Sequence, residues 1–122
     1  MKIFSTIILF AVSLNVFSQA KMKFAEPKKN FGFVKKGEKV NLVYEFTNEG
    51  NQPLVISDAK AECSCTSVTW TKEPVAPRQK GQVAVVFDTA PTYDRQDRTV
   101  EVISNDPKSP SKIRFKGVVL TK

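Results

Sequence analysis

From Phe24 onward the apolar residues of this chain recur at every second position, and no long stretch repeats with helical spacing. Successive side chains of a strand point to opposite faces of a sheet, so this alternation restricts the fold more than any other feature. The clearest case runs from Lys39 to Asn48, where Val40, Leu42, Tyr44 and Phe46 share one face and Asn41, Val43, Glu45 and Thr47 the other. Half-apolar strands of this kind belong to antiparallel sheets with one buried face. Gln82 to Asp88 sets Val83, Val85 and Phe87 against Ala84 and Val86, and Arg98 to Ser104 turns Val100 and Val102 inward. Lys112 to Thr121 alternates Ile113, Phe115, Gly117 and Val119 with Arg114, Lys116, Val118 and Leu120. Its second half is apolar on both faces, as in a strand covered on two sides.

Turn residues separate these runs. Asn48-Glu49-Gly50-Asn51-Gln52-Pro53 is a turn whose glycine can take positive φ. Leu54-Val55-Ile56 resumes a strand towards the two cysteines, and Val68 and Trp70 alternate beyond them. Pro74 and Pro77 remove ladder donors, so Glu73 to Pro77 is expected to be an extended connection. Thr89 to Asp97 reads as a polar loop, and Asn105-Asp106-Pro107 ends the strand before it. With short pieces near Phe24 and at Phe31 to Val34 there are about seven strands. The expected fold is all-β, an immunoglobulin-like antiparallel β-sandwich; the same pattern also permits a small barrel. The usual inter-sheet disulfide is ruled out because both cysteines lie in one stretch, so Trp70 and the inward phenylalanines are expected to fill the centre.

The first twenty residues follow a different logic. Lys2 precedes the short apolar run Ile3 to Val12, and small residues close it at Ser18-Gln19-Ala20. This is the pattern of a secretory signal peptide over residues 1–20, with cleavage after Ser18 or Ala20. No cysteine near either site points to a lipid anchor. The expected mature domain, residues 21–122, is exported to the periplasm or beyond and has no segment of transmembrane length. Without Lys2 it carries 18 basic against 12 acidic side chains, a net charge of +6. Lys21, Lys23, Lys28, Lys29, Lys35, Lys36 and Lys39 hold much of the excess. An anionic envelope surface or polymer would attract such a run, but a solvated rim guarding edge strands accounts for it more simply. The run has no arginine and no aromatic ladder, which argues against nucleic acid.

The chain contains no histidine. That excludes Ser-His-Asp and Cys-His nucleophilic machinery and removes a frequent metal ligand. What remains for chemistry is Cys63 and Cys65, one residue apart. In an extended strand their Cα atoms would be about 6.6 Å apart with both side chains on one side. A disulfide brings Cβ atoms to about 3.5–4.5 Å, so bonding Cys63 to Cys65 requires a sharp local turn. Four readings stand: a locally paired turn without turnover, pairing with a partner molecule, a thiol–disulfide redox site, and a soft-metal site. The redox reading lacks the helix N-terminus that lowers a thiol pKa, and the metal reading lacks further ligands. Asp94, Asp97 and Asp106 do not have the spacing of a calcium loop.

The blocks Asn30 to Glu38, Glu45 to Ile56, Cys63-Ser64-Cys65-Thr66, Trp70 to Pro74 and Ser104-Asn105, in this order and spacing, resemble the bacterial domain-of-unknown-function 1573 family. The resemblance implies an exported immunoglobulin-like domain, related in architecture to modules that scaffold or bind other proteins, with no established activity. This chain departs from the family pattern in having Ser64 where glycine usually separates the cysteines, and Pro77-Arg78 where Pro-Gly is usual. The expected function is a non-enzymatic exported module that binds or supports an envelope protein or polymer, with an edge strand as the contact. No catalytic residue, metal ligand or cofactor is assigned. The alternative is a periplasmic redox protein cycling Cys63 and Cys65.

Overall fold

The computed structural model describes residues 18–121, so the expected signal peptide up to residue 17 lies outside the described residues. Eight strands form: β1 (Met22–Phe24), β2 (Lys28–Lys35), β3 (Lys39–Asn48), β4 (Ile56–Ala61), β5 (Thr66–Trp70), β6 (Lys80–Asp88), β7 (Asp94–Ser104) and β8 (Ser111–Leu120). They build two four-stranded sheets, ordered β1-β3-β6-β5 and β2-β8-β7-β4. The apolar faces of the two sheets meet, giving the immunoglobulin-like β-sandwich that the alternation implies.

The inward sets are those read from the periodicity. Tyr44 and Phe46 of β3, Val83, Val85 and Phe87 of β6, Val100 and Val102 of β7, and Ile113, Phe115 and Val119 of β8 are all buried. Each contributes on the order of 1.5–3 kcal/mol by leaving water. Phe87 and Phe115 meet across the two sheets with ring centroids 5.2 Å apart, and Phe31 leans on both. The Phe31 ring lies over Gly117, where a Cβ would come within 2.3 Å of it. Gly117 thus holds an inward position because an aromatic ring from β2 already fills it. The Tyr44 hydroxyl donates to the Arg114 carbonyl at 2.8 Å, and burial raises its pKa well above that of an ordinary phenol.

Five details differ from the sequence reading. There are eight strands, and β2 pairs with β8 in parallel while every other pair is antiparallel. Strand β7 begins at Asp94 rather than Arg98, because Asp94 to Asp97 continue the ladder against Val119 to Lys116. The inward Gln96 is buried there, donating to the Tyr93 carbonyl at 2.7 Å and accepting from Arg98. Trp70 is only half-buried, because β5 lies at the edge of its sheet and its inward residues sit at the rim. Finally, Val118 is half-buried and Leu120 exposed. A two-layer sandwich covers β8 on one face only.

The turn after β3 is held by a side chain rather than by its glycine. Asn48 is fully buried, and its Nδ2 donates to the carbonyls of Gln52 at 2.7 Å and Val75 at 2.9 Å. Its Oδ1 accepts from the N–H of Gly50 at 2.9 Å and of Lys21 at 3.2 Å. One amide thereby joins the entry to β1, the turn, and the 73–77 connection, and Gly50 does not adopt the expected positive φ. Asn48→Ala strands the Gln52 carbonyl and the Gly50 and Lys21 N–H groups, while the Val75 carbonyl keeps the Leu54 N–H, and is predicted to cost about 3 kcal/mol. Urea denaturation reads this directly; a loss below about 1 kcal/mol would contradict the assigned role.

Arg78 explains one departure from the family pattern. The Gln79 N–H donates to the Ala76 carbonyl at 3.0 Å, Pro77 occupies the second turn position, and Arg78 follows with φ of 68°. That is the arrangement of a type II turn, whose third position favours glycine. Arg78→Gly relieves a left-handed residue worth about 1–2 kcal/mol and gives part of it back as unfolded-chain freedom. A net gain of about 0.5–1 kcal/mol is expected in the same urea assay, and a loss would be inconsistent with this turn.

Candidate functional site

The chain passes from one sheet to the other between β4 and β5, and Cys63 and Cys65 sit in that crossing. The two sulfurs are bonded, with the Cα atoms 5.1 Å apart, closer than an extended strand allows. The turn that brings them together is closed by the Thr66 N–H donating to the Cys63 carbonyl at 3.1 Å. The Cys65 N–H also points at the Cys63 Sγ, at 3.1 Å. Ser64 is not among the residues with positive φ, so the position where the resemblance implies glycine is one that serine fills without left-handed strain. Cys65 is buried and Cys63 half-buried, and the Thr66 hydroxyl stands 3.8 Å from Cys65 Sγ.

This turn delivers the chain into β5, whose outer edge is unusual. The Asp88 N–H donates to the Cys65 carbonyl at 2.8 Å, and the Thr71 N–H to the Gln82 carbonyl at 3.0 Å. Between them the register pairs Thr66 with Phe87 through to Trp70 with Val83. Bonded and non-bonded pairs alternate in an antiparallel ladder. Ser67 and Thr69 therefore direct their peptide groups to β6, while Val68 and Trp70 direct theirs outward.

The other three edges are protected in ways that natural sheets use against unwanted pairing. Strand β1 is three residues long, and its outward Met22 N–H is taken by the buried Asp106 carboxylate at 2.9 Å. Strand β2 carries a bulge between Asn30 and Gly32 together with Lys28, Lys29 and Lys35. Strand β4 has a register shift between Ile56 and Asp58 and then the charges of Asp58 and Lys60. From Cys63 to Thr71, by contrast, there is no charged residue, glycine or proline, and the β5–β6 register is unbroken. Several of the early lysines thus line protected edges. Val68 and Trp70 on β5, with Ala59 and Ala61 on the adjoining β4, are half-buried apolar residues along the same side of the sandwich. Lys72 Nζ stands 3.3 Å from the Trp70 ring centroid and closes the far end.

Elsewhere, Arg114 and Asp97 form a two-pronged ion pair on the exposed face of β7 and β8. The hydrogen bond from Arg114 holds the Asp97 carboxyl below its ordinary range, and Asp97 in turn raises Arg114. Being half-exposed, the pair is a surface tie rather than a chemical site.

The cysteine pair closes a loop of three residues, for which chain entropy gives about 1.6 kcal/mol. A Cys63→Ser/Cys65→Ser double variant is accordingly predicted to fold and to lose no more than about 1.6 kcal/mol in urea denaturation. Collapse of the fold would instead mean that the bond organises the β4–β5 crossing.

The Porphyromonas gingivalis protein of unknown function whose crystal structure matches this one has a TM-score of 0.73 at 18% identity. The match covers 87% of this chain and 50% of that one, so the chain spans half the length of that relative. The ASH/PapD-like domain 7 of human CEP192 aligns with a TM-score of 0.66 and 10% identity, over 86% of this chain and 89% of that one. A part of the Vibrio cholerae VesB protease aligns at 0.61 and 19% identity, covering 84% of this chain and 32% of that one. At such identities these likenesses establish the fold alone. No curated protein matches the chain in sequence. The model of the protein family of unknown function DUF1573 matches residues 22–119, from the first strand to the last, and the chain belongs to that family.

Proposed function

We propose that this domain is a non-enzymatic, exported binding module that takes an extended segment of another bacterial envelope protein as an added strand on β5. The observation that carries the proposal is the contrast among the four edges: three are shortened, capped, bulged or charged, and β5 is none of these. An added strand would find main-chain partners at Val68 and Trp70 and would cover the half-buried Ala59, Ala61, Val68 and Trp70 side chains. Main-chain bonds supply the affinity in this mode. Alternate side chains of the incoming segment supply selectivity, and small apolar ones suit a seam floored by two alanines.

Val68→Pro tests the reading. Its N–H points away from β6, so proline there removes an outward donor and leaves the ladder whole. A photo-reactive residue at Thr69, in cells that export the protein, is predicted to yield a discrete cross-linked species that disappears in Val68→Pro. The same probe at Val43, exposed on the middle of the sheet face, is expected to yield none. A product with the mass of two copies of this chain, or one that survives Val68→Pro, would overturn the proposal.

The redox alternative draws on Cys63, half-buried in an adjacent pair within an oxidising compartment. Thiol trapping followed by mass spectrometry separates the two classes. The binding reading expects the pair to stay in one state across a range of redox buffers, and a reversible dithiol–disulfide titration near the compartment's poise would favour the alternative.

A further inference from the structure

We infer that signal cleavage falls between Ser18 and Gln19, so that the mature domain begins at Gln19 rather than Lys21. The inference rests on the export reading above and concerns which of two small-residue sites is used. Gln19 and Ala20 are built into the fold. The Gln19 N–H donates to Asn51 Oδ1 at 2.8 Å, and the Asn51 N–H donates back to the Gln19 carbonyl at 2.9 Å. Ala20 is 2% exposed and belongs to the same core cluster as Phe46 and Leu54. Ser18 and Gln19 are both exposed, so Gln19 is tied to the fold by its backbone bonds to Asn51 and Ala20 by burial.

A third observation comes from the opposite strand turn. A Cβ at position 50 would lie 2.1 Å from the Gln19 carbonyl oxygen, 2.7 Å from the Lys21 nitrogen and 2.8 Å from the Ala20 Cα. Gly50 is not in the left-handed region, so backbone conformation does not call for glycine there. What calls for it is the close passage of residues 19–21. A mature chain starting at Lys21 would remove two of these three atoms, leaving only the Lys21 nitrogen against Gly50, and would leave Asn51 without its Gln19 partner.

Cleavage after Ser18 fits the same geometry. Water adds across the Ser18–Gln19 peptide bond, leaving a carboxylate on the released signal and an ammonium on Gln19. That ammonium retains an N–H for Asn51 Oδ1. If the terminal glutamine cyclises with loss of ammonia, the lactam keeps one N–H as well. Ser18 meets the requirement for a small residue before the cut.

The test uses the full chain with a C-terminal tag in a bacterial host, and intact-mass analysis of the exported fraction. A mass beginning at Gln19, with or without loss of ammonia, is expected; a mass beginning at Lys21 would overturn the inference while leaving export intact. Finding only unprocessed chain inside the cell would overturn both. Two variants separate processing from folding. Ser18→Leu is predicted to abolish processing. Ala20→Leu is predicted to be processed normally after Ser18 yet to lower the melting temperature of the product by several degrees. Blocked processing in Ala20→Leu together with normal processing in Ser18→Leu would place the cut after Ala20 and refute the inference.

Discussion

An open two-layer sandwich must dispose of the backbone hydrogen-bonding groups along its sheet edges, and much of this structure follows from how it does so. Closing a barrel would remove the edges, but here two four-stranded sheets leave β1, β5, β2 and β4 outermost. The lysines that give the domain its positive charge, the bulge at Asn30 and Gly32, the register shift after Ile56 and the Asp106 carboxylate on Met22 all bear on edges. Features that look unrelated in the sequence are thus answers to one constraint. Strand β5 is where the answer is missing, and the Cys63–Cys65 turn and the Lys72–Trp70 contact bracket it at either end.

The cysteines take a different place in this account from the one their chemistry first suggests. They are the chain's only cysteines, yet their bond closes a loop too short to stabilise the fold much. Their position, where the chain crosses between sheets, gives them a local shaping role at the start of β5. One device that lowers a thiol pKa is a helix N-terminus; a neighbouring cation is another. No helix occurs among the described residues.

Period-two alternation was enough to read the inward faces of β3, β6, β7 and the first half of β8, because the sandwich buries one face of each strand. It could not say where a strand sits within its sheet. Trp70 points inward as alternation requires, but β5 is outermost, so the ring reaches only the rim. Likewise the parallel pairing of β2 with β8 joins the two ends of the chain, and nothing local marks it. Asn48 looked like a turn residue because its neighbours are turn residues; only the folded chain brings Lys21, Gln52 and Val75 to its amide. The uncharged run from Cys63 to Thr71 was visible in the sequence, but it becomes meaningful only once β5 is known to be an edge.

The central claim, that the outward peptide groups of β5 are open to a partner, is tested most directly by amide hydrogen exchange of the isolated domain, resolved by residue. The account predicts that the Val68 and Trp70 amides exchange nearly as fast as an unfolded chain, while Ser67 and Thr69, bonded to β6, are strongly protected. Equal protection of all four would mean that this edge is already covered, and would contradict the account.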